Sequence, residues 1–425
     1  MKIGSFKTDT SGANTRFSAS LSWEESQRAP LELFFEIPSE FASDLTVSAN
    51  SFLVGAIFPA MVAGEKRIAI EGQICPRLRT GLLTILDQFQ HWYGRERQPI
   101  AIEAKTWQEA RGRRTPTRAG SFFTGGIDSL ATIRRNRLLF PRNHRESIQD
   151  AILLYGINFD SDDSPATFSR AIEELSEVAK DAEISLVPVY TNLRRDLNPD
   201  GRFFTYQFHG ALLGATAHAL SGRLTTMSIA SSHDIPNLIP WGSHPLIDPN
   251  FSSFDMRIYH DSLELSRFAK AKLIADWEAA LRNIKVCTFN WPGINCGKCE
   301  KCIRTMLALL ALGVLERSRA FTANDISEQD VRSIELTLEN QPHYYRELVE
   351  PLRMVNRLDL ARGIEHILSK YWNETGLFGP LKRIDRTYFG DSFRLLKKSL
   401  RESLSRNPAN NGNSGSAIRV VQNEN

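Results

Sequence analysis

The sequence lacks any apolar run long enough to cross a membrane, and its first ten residues contain no apolar segment of the kind that directs secretion. An excess of charge of one sign is also missing, since 52 Lys and Arg residues nearly balance 49 Asp and Glu residues, for a net charge of +3. Composition therefore does not favour a nucleic-acid partner. Together these absences predict a soluble, cytoplasmic protein with no membrane contact.

Cysteine is scarce, with five residues in the chain, yet four of them lie within one short stretch. In a chain without a secretion signal, clustered cysteines predict a metal site more than disulfides. Cys287, Cys296, Cys299 and Cys302 form a Cys-x8-Cys-x2-Cys-x2-Cys pattern. Four thiolates can close a tetrahedron around Zn²⁺, which makes the site structural because no position is left for water. The alternatives are an iron–sulfur cluster, whose ferredoxin run is incomplete here, and four reduced thiols without metal.

Residues 122–130, Phe-Phe-Thr-Gly-Gly-Ile-Asp-Ser-Leu, end an apolar run in a glycine turn directly before a predicted helix. Glycines let the backbone approach an anion, and the first amides of a helix point their donors at it. Thr124 and Ser129 can add hydroxyl donors, and Asp128 can hold a loop amide or a magnesium ion. The lysine of a Walker loop and the third glycine of a dinucleotide fingerprint are both absent. The turn is therefore predicted to bind phosphate, but not as in an ordinary NTPase or dehydrogenase.

From residue 119 onward, short apolar runs alternate with helical patterns. Strands are predicted at 121–123, 151–157, 184–189 and 225–230, and helices near 128–140, 165–182 and 205–220. This alternation predicts an α/β fold with a doubly wound parallel sheet. Because ligands on such sheets bind outside the carboxyl ends of the strands, the polar residues that follow each strand are expected to converge.

These polar residues are candidates for binding. They are Gly156 and Asn158 after the second strand, Arg202 and His209 at the third helix, and His233, Asp234, Trp241 and His244 in the loop after the fourth strand. Trp241 can stack on a planar heterocycle while its neighbours read the edge of that ring. A core histidine with satisfied hydrogen bonds is the alternative for His209, and a rigid structural loop is the alternative for the others.

Outside residues 117–312, the sequence predicts three further regions. Residues 1–116 are predicted to form a separate β-rich module, with strands at 31–37, 66–71 and 100–104 and a helix at 76–93. Residues 313–405 are predicted to be helical, and residues 406–425, rich in Asn, Gly and Ser, to be a disordered tail. The basic stretch 377–405 leaves a nucleic-acid contact as the alternative to a solvated helix face.

Two further features of the N-terminal part of the chain are the lone Cys75 and a basic segment at 110–118. Cys75 is interpreted as a small buried residue, not a catalytic thiol. The basic segment 110–118 is interpreted as a linker. Its alternative role is to bring Arg113, Arg114 or Arg118 over a nucleotide triphosphate, because these residues immediately precede the glycine turn.

The glycine turn resembles the PP-loop, Ser-Gly-Gly-x-Asp-Ser, of the ATP pyrophosphatases, with Thr124 in place of the first serine. Followed by the four cysteines, it makes residues 119–312 resemble the QueC (7-cyano-7-deazaguanine synthase) family. The resemblance implies an adenine nucleotide alpha hydrolase-like core. The additional terminal regions resemble the long QueC-like members of bacterial anti-phage operons, the QatC group.

The resemblance also implies an activity and its site. The cofactors would be ATP, Mg²⁺ and Zn²⁺, and the enzyme would adenylate a 7-deazaguanine carboxylate and pass it to an amine, the N-terminus of a partner protein from the same operon. Phosphates and nucleoside would contact Phe123, Thr124, Gly125, Gly126, Asp128, Ser129, Gly156 and Asn158. Asp128, Ser129 and His209 are the candidate catalytic residues. The candidate substrate contacts are Arg202, His233, Asp234, Trp241 and His244, and the loop that carries His233 and His244 does not match the housekeeping QueC pattern closely.

Three alternative functions remain open at this stage. The first is a housekeeping-type synthase that uses ammonia in the deazapurine pathway. The second is a PP-loop enzyme that thiolates tRNA, which is weakened because four of the five cysteines are assigned to metal. The third is a non-catalytic nucleotide-binding subunit, which would bind ATP without releasing AMP.

Overall fold

The computed structural model describes residues 1–94, 100–107, 117–155, 157, 165–198, 200–287 and 294–376. The strands are β1 (Lys2–Ser11), β2 (Asn14–Ser22), β3 (Leu31–Pro38), β4 (Arg67–Ile74), β5 (Ala101–Thr106), β6 (Ala119–Phe122), β7 (Ile148–Leu154), β8 (Ser185–Thr191), β9 (Thr226–Ala230) and β10 (Arg257–Asp261).

The helices are α1 (Ala49–Val62), α2 (Pro76–Tyr93), α3 (Ile127–Leu139), α4 (Pro165–Asp181), α5 (Leu193–Leu197), α6 (Gly201–Phe203), α7 (His209–Ala219), α8 (Arg267–Ile274), α9 (Glu278–Asn283), α10 (Glu300–Ala311), α11 (Glu328–Arg332), α12 (Gln341–Arg346), α13 (Val349–Met354) and α14 (Leu358–Gly376). A π-helical turn, Phe204–Phe208, joins α6 to α7. Within the described ranges, none of these helices combines the length and apolar character needed to span a bilayer.

All ten strands belong to one mostly parallel sheet with the order β10-β9-β6-β7-β8-β3-β2-β1-β4-β5. From β10 to β8 every neighbouring pair is parallel. Chain order runs outward in both directions from β6, so it reverses between β6 and β9. That reversal is the point at which open α/β sheets bind ligands. The prediction of an α/β fold with parallel strands is confirmed.

The N-terminal strands continue this sheet instead of forming a sheet of their own. β3 pairs antiparallel with β8, and side chains at the end of β8 and just after it extend the contact. Thr191 Oγ1 donates to the Phe34 carbonyl at 2.7 Å, and Asn192 Oδ1 accepts from the Phe34 amide at 2.9 Å. Strands β1–β5 thus share one sheet with β6–β10, and residues 1–368 form one compact unit. Residues 369–425 form a second unit, described only through Gly376.

Two hydrophobic cores cover the two faces of the sheet. Along β7, Ile152 and Leu154 belong to one core while Ala151 and Leu153 belong to the other, as the alternation of a strand requires. Helix α1 packs in the first core, and nearly all of its residues are buried. A helix that is apolar all round has no solvent-facing side, so it must lie in the interior.

Several predicted helices are divided in the structure. The span 262–281, whose apolar residues have helical spacing, forms two helices, α8 and α9. Within the region predicted to be helical, the span 344–368 is divided among α12, α13 and α14. The basic stretch 377–405, the tail 406–425, and residues Gly156 and Asn158 lie outside the described residues, as do Arg113 and Arg114.

Arg118 lies at the amino end of β6, so it does not reach the glycine turn at the other end of that strand. It donates two hydrogen bonds to Asp150, whose side chain is fully buried. Asp150 also accepts from Arg223 at 2.9 Å, and Arg223 pairs with Asp44 at 2.6 Å. Arg118 therefore belongs to a buried ion-pair network, which removes it as a candidate for the triphosphate.

We expect Asp150→Ala to lower the free energy of unfolding by roughly 3–5 kcal/mol, because it leaves two guanidinium groups without their buried partner. Urea unfolding followed by circular dichroism measures the change. Asp276→Ala is the matched control, since its exposed pair with Arg134 at 3.0 Å should contribute only about 0–1 kcal/mol. Equal effects of the two substitutions would contradict the assignment of Asp150 as the centre of the network.

Candidate functional site

A cavity of about 430 Å³ lies at the reversal of strand order. Its floor is formed by the carboxyl ends of β6, β7 and β9, through Phe122, Leu154 and Ala230. The glycine turn, the loop after β9, and helices α8, α10 and α12 supply its walls. The volume is within the range of small-molecule sites.

The glycine turn has the geometry expected of an anion-binding turn. Gly125 has a φ of +75°, and a Cβ atom there would lie 2.6 Å from Leu175 Cδ2, so only glycine fits without strain. The Thr124 amide donates to Ser129 Oγ at 3.3 Å, and Ser129 Oγ donates to the Gly126 carbonyl at 3.0 Å. Gly126 is the N-cap of α3. The first amides of α3, which have no partner within the helix, are thus at the edge of the cavity.

Asp128 contacts two cations of α8. Its carboxylate lies 3.0 Å from Arg267 Nη1 and 3.5 Å from Lys270 Nζ. Burial raises the pKa of Asp128, but Arg267 and Lys270 outweigh it and hold that pKa below its usual value. Lys270 Nζ also donates to the Ser231 carbonyl at 2.6 Å, which ties α8 to the end of β9. The ionised carboxylate is thus compensated by protein cations.

The cavity wall is rich in positive charge. Its cationic side chains are Arg267, Lys285, Lys301 and Arg304, against the carboxylates of Asp128 and Glu300. Arg304 is buried and lies 4.5 Å from the ring centre of Tyr344, and Arg267 lies 5.3 Å from the same ring. In the described part of the chain, Nε of each arginine is buried without a hydrogen-bond partner. These donors and charges suit an anionic ligand.

An aromatic cluster also borders the site. Trp241 lines the cavity and meets the rings of Tyr206, His209 and His233 edge-on, at 5.1, 6.1 and 5.4 Å between ring centres. His233 stands behind Tyr344, whose hydroxyl lies 3.1 Å from His233 Nδ1. Burial lowers the pKa of His233 to about 3, so its imidazole is neutral at neutral pH.

The structure separates the remaining predicted residues from the cavity wall. His244 is buried against Trp92 at 4.8 Å, and its Nδ1 accepts from the Leu246 amide. Asp234 accepts from Asn237 Nδ2 at 2.7 Å, and Arg202 is exposed at the start of α6. Phe123 is fully buried, and its amide donates to the Ile152 carbonyl within the sheet. Trp241 and His209 therefore line the cavity, whereas His244, Asp234 and Arg202 do not.

Sequence reasoning missed the cations and the C-terminal residues of the site. Arg267, Lys270 and Arg304 come from helices α8 and α10, and Asn340 and Tyr344 come from the start of α12. A signal was present for two of them, since Lys270 and Arg304 interrupt the apolar face of an amphipathic helix. A charged residue on a buried face needs a partner or a ligand.

The four predicted cysteines come together and could hold a metal ion such as Zn²⁺. Their sulfur atoms all lie within 4.8 Å of one another. The separations are 3.4 Å for Cys299 and Cys302, 3.8 Å for Cys296 and Cys302, and 4.0 Å for Cys287 and Cys299. A tetrahedral ion with Zn–S bonds of about 2.3 Å would separate its ligands by roughly 3.8 Å. The donor set and its spacing therefore fit zinc.

The cysteine cluster is connected to the glycine turn by a short backbone segment. The Lys285 amide donates to the Gly125 carbonyl at 2.9 Å. Two residues later, the Cys287 amide donates to Asn295 Oδ1 at 3.0 Å. Asn295 is buried, and its amide group also donates to the carbonyls of Ile284 and Ala320. The segment that carries the first cysteine is therefore fixed on both sides.

No protein-family model, curated protein or solved structure matches this chain.

Proposed function

We propose that this protein is a QueC-like, ATP-dependent ligase that adenylates a 7-deazaguanine carboxylate and transfers the acyl group to an amine. The observation that supports this proposal most directly is the meeting, in one cavity, of a glycine turn at a helix N-terminus with cationic side chains and a neutral aromatic wall. The first two features suit the phosphates of ATP, and the third suits a planar heterocycle.

In the nucleotide half of the site, the amides at the start of α3 and the turn glycines would hold the phosphates. Arg267 and Arg304, each with a buried Nε donor, would stabilise the negative charge that develops on the leaving pyrophosphate. Such pre-oriented donors favour the transition state because they need no rearrangement as charge builds. Mg²⁺, entering with the nucleotide, would supply further charge compensation.

In the half of the site that would hold the carboxylate substrate, Trp241 would stack on the heterocycle, and the neutral imidazole of His209 would provide an uncharged hydrogen-bonding edge. Asn340 contributes a further group, because it lines the cavity and its buried Oδ1 has no hydrogen-bond partner in the described part of the chain. An unpaired buried acceptor favours a ligand with an N–H group, as a deazaguanine ring has.

The amine would be the N-terminus of a partner protein from the same operon, in an anti-phage system. A protein nucleophile is supported by strands β1–β5 and helices α11–α14. These elements lie outside residues 117–312, the stretch that contains the turn and the cysteines. A housekeeping-type synthase acting on ammonia is the second candidate. The four cysteines would hold structural Zn²⁺, with no part in bond making.

The proposal is tested by incubating the purified protein with ATP, Mg²⁺ and 7-carboxy-7-deazaguanine, together with ammonium or with proteins encoded beside it. AMP release and the intact mass of each protein are followed. We expect AMP formation that depends on the carboxylate, and a partner that gains the deazaguanine acyl mass. A nitrile or amide formed with ammonium alone would instead indicate the synthase.

Gly125→Ala is expected to lower AMP formation by about 100-fold or more, because a Cβ atom distorts the turn at the phosphates. Gly64→Ala is the matched control, since Gly64 also has positive φ, +78°, but has nothing within 4 Å of its added Cβ. Equal losses in both variants would count against phosphate binding at the turn.

Two results would replace the proposal with another function. ATP binding without AMP release under any condition would indicate a non-catalytic nucleotide-binding subunit. Transfer of sulfur to tRNA, lost on substituting Cys75, would indicate a thiolating enzyme. The buried position of Cys75, whose sulfur accepts from the Phe254 amide at 3.4 Å, does not favour that outcome.

A further inference from the structure

His209 lines the cavity and begins helix α7, immediately after the π-helical turn. Its Nδ1 lies 3.2 Å from the carbonyl oxygen of Phe204. A carbonyl oxygen can only accept a hydrogen bond, so Nδ1 carries the proton in the neutral ring. The lone pair is therefore on Nε2, and the histidine is held in the tautomer that a general base requires.

The imidazole is neutral, because its surroundings favour the uncharged form. Burial lowers the pKa of His209, and the backbone of Phe204, the carboxylate of Asp248 and the backbone of Thr205 only partly oppose that shift. His260, the other titratable group nearby, adds to the lowering. Asp248 is already engaged, since it accepts from Ser243 Oγ and contacts His260 Nδ1, both at 2.6 Å.

The loop that contains Gly242 packs against the ring of His209 and fixes its position. A Cβ atom at Gly242 would lie 2.6 Å from His209 Nδ1, so only a glycine allows the loop this close. Gly242 donates to the Thr205 carbonyl at 3.2 Å and accepts from the Gly210 amide at 2.9 Å. The backbone on both sides of the histidine is thus hydrogen-bonded to the loop.

We propose that His209 is the general base of the acyl-transfer half of the reaction, a role that rests on the proposed function. As the amine nitrogen attacks the acyl carbon, the C–N bond forms and the C–O bond to AMP breaks, with its electron pair leaving on the phosphate oxygen. The proton released by the amine passes to His209 Nε2, which becomes an imidazolium.

The same residue has no proton to accept in the first half of the reaction. There the nucleophile is a carboxylate oxygen, which is already deprotonated when it attacks the α-phosphorus of ATP. A general base should therefore affect the transfer step and leave adenylation almost unchanged. The effect of substitution on the two steps therefore distinguishes a general base at position 209 from the residues that bind phosphate.

His209→Asn tests the assignment, because the asparagine amide can still donate to the Phe204 carbonyl but offers no basic nitrogen. Carboxylate-dependent exchange of labelled pyrophosphate into ATP measures adenylation, and amide formed from ammonium measures transfer. We expect exchange within about threefold of wild type and transfer lowered by roughly 10²–10⁴-fold. His91→Asn, at an exposed histidine of α2, should change neither rate.

Hydroxylamine provides a second readout. It attacks acyl adenylates as the free base at neutral pH, so it should restore turnover to the His209→Asn variant. A variant that loses exchange together with transfer, or that keeps transfer to ammonium, would overturn the role of His209. Absence of exchange in the wild-type protein would overturn the proposed function, and this inference with it.

Discussion

Cys302→Ala is expected to remove the bound metal ion and to lower the free energy of unfolding by several kcal/mol. Cys302 is fully buried, and its sulfur lies within 3.8 Å of those of Cys296 and Cys299. A structural zinc site contributes its binding free energy to folding, roughly 10–16 kcal/mol in small zinc domains, and three thiolates hold the ion much less tightly than four. Elemental analysis and urea unfolding measure the two effects.

The fifth cysteine provides the control for this substitution. Cys75→Ala removes a buried thiol that is outside the cluster, so one metal ion per chain should remain and stability should fall by only about 1 kcal/mol. Iron in place of zinc would show as visible absorption and would identify the alternative cluster. Full metal content in Cys302→Ala would contradict the four-cysteine site.

Loss of Cys302 should also weaken the cavity. Cys299 is the N-cap of α10, and the same helix carries Arg304 into the cavity wall. When the metal no longer holds the first turn of α10, the guanidinium loses its fixed position. Pyrophosphate exchange should therefore fall in Cys302→Ala even under conditions where the chain remains folded.

Acid is expected to destabilise the protein between pH 6.5 and about 4, before most carboxylates are protonated. Burial lowers the pKa of His218 and His244 to about 4 and that of His233 to about 3. The unfolded chain takes up these protons near pH 6.5, whereas the folded chain does not, so unfolding becomes more favourable as the pH falls. His218, which is fully buried, should contribute on the order of 3 kcal/mol.

Urea midpoints measured at half-unit intervals from pH 7.5 to 4.5 test this expectation. His218→Gln should reduce the pH slope by about one proton, because His218 is buried and its Nε2 contacts the Phe251 carbonyl at 2.8 Å. His91→Gln, at an exposed site, should leave the slope unchanged. Asp128 acts in the same direction, but at lower pH. Its lowered pKa gives stability that is present above its usual value near 3.8 and is lost only at lower pH.

The parts of the fold that depend on local patterns could be predicted from the sequence. The helix expected over 76–93 is α2, and the glycine turn opens α3 as expected. Helix α1 was missed because its residues are apolar on every side, which leaves no 3.6-residue periodicity to detect. The pairing of β3 with β8 was missed because no local pattern specifies which distant strand a strand pairs with.

The candidate site could be predicted only where its residues are contiguous. The turn and the four cysteines lie in short stretches, and the chemistry of each follows from residue type and spacing. Arg267, Arg304 and Tyr344 meet in space from three separate helices, and no sequence spacing relates them. His244 was assigned to the site from its loop, but the loop directs it toward Trp92 in the N-terminal half of the chain.

The junction between β3 and β8 also bears on how the chain folds during synthesis. Phe34 and its partner Asn192 are 158 positions apart. When β3 leaves the ribosome, the strand that will cover its outer edge has not been translated. An uncovered strand edge is a template for pairing with other chains, and contacts between distant residues form slowly. The nascent protein thus passes through a stage in which its first strands are made but unprotected, and a chaperone that shields them would raise its yield.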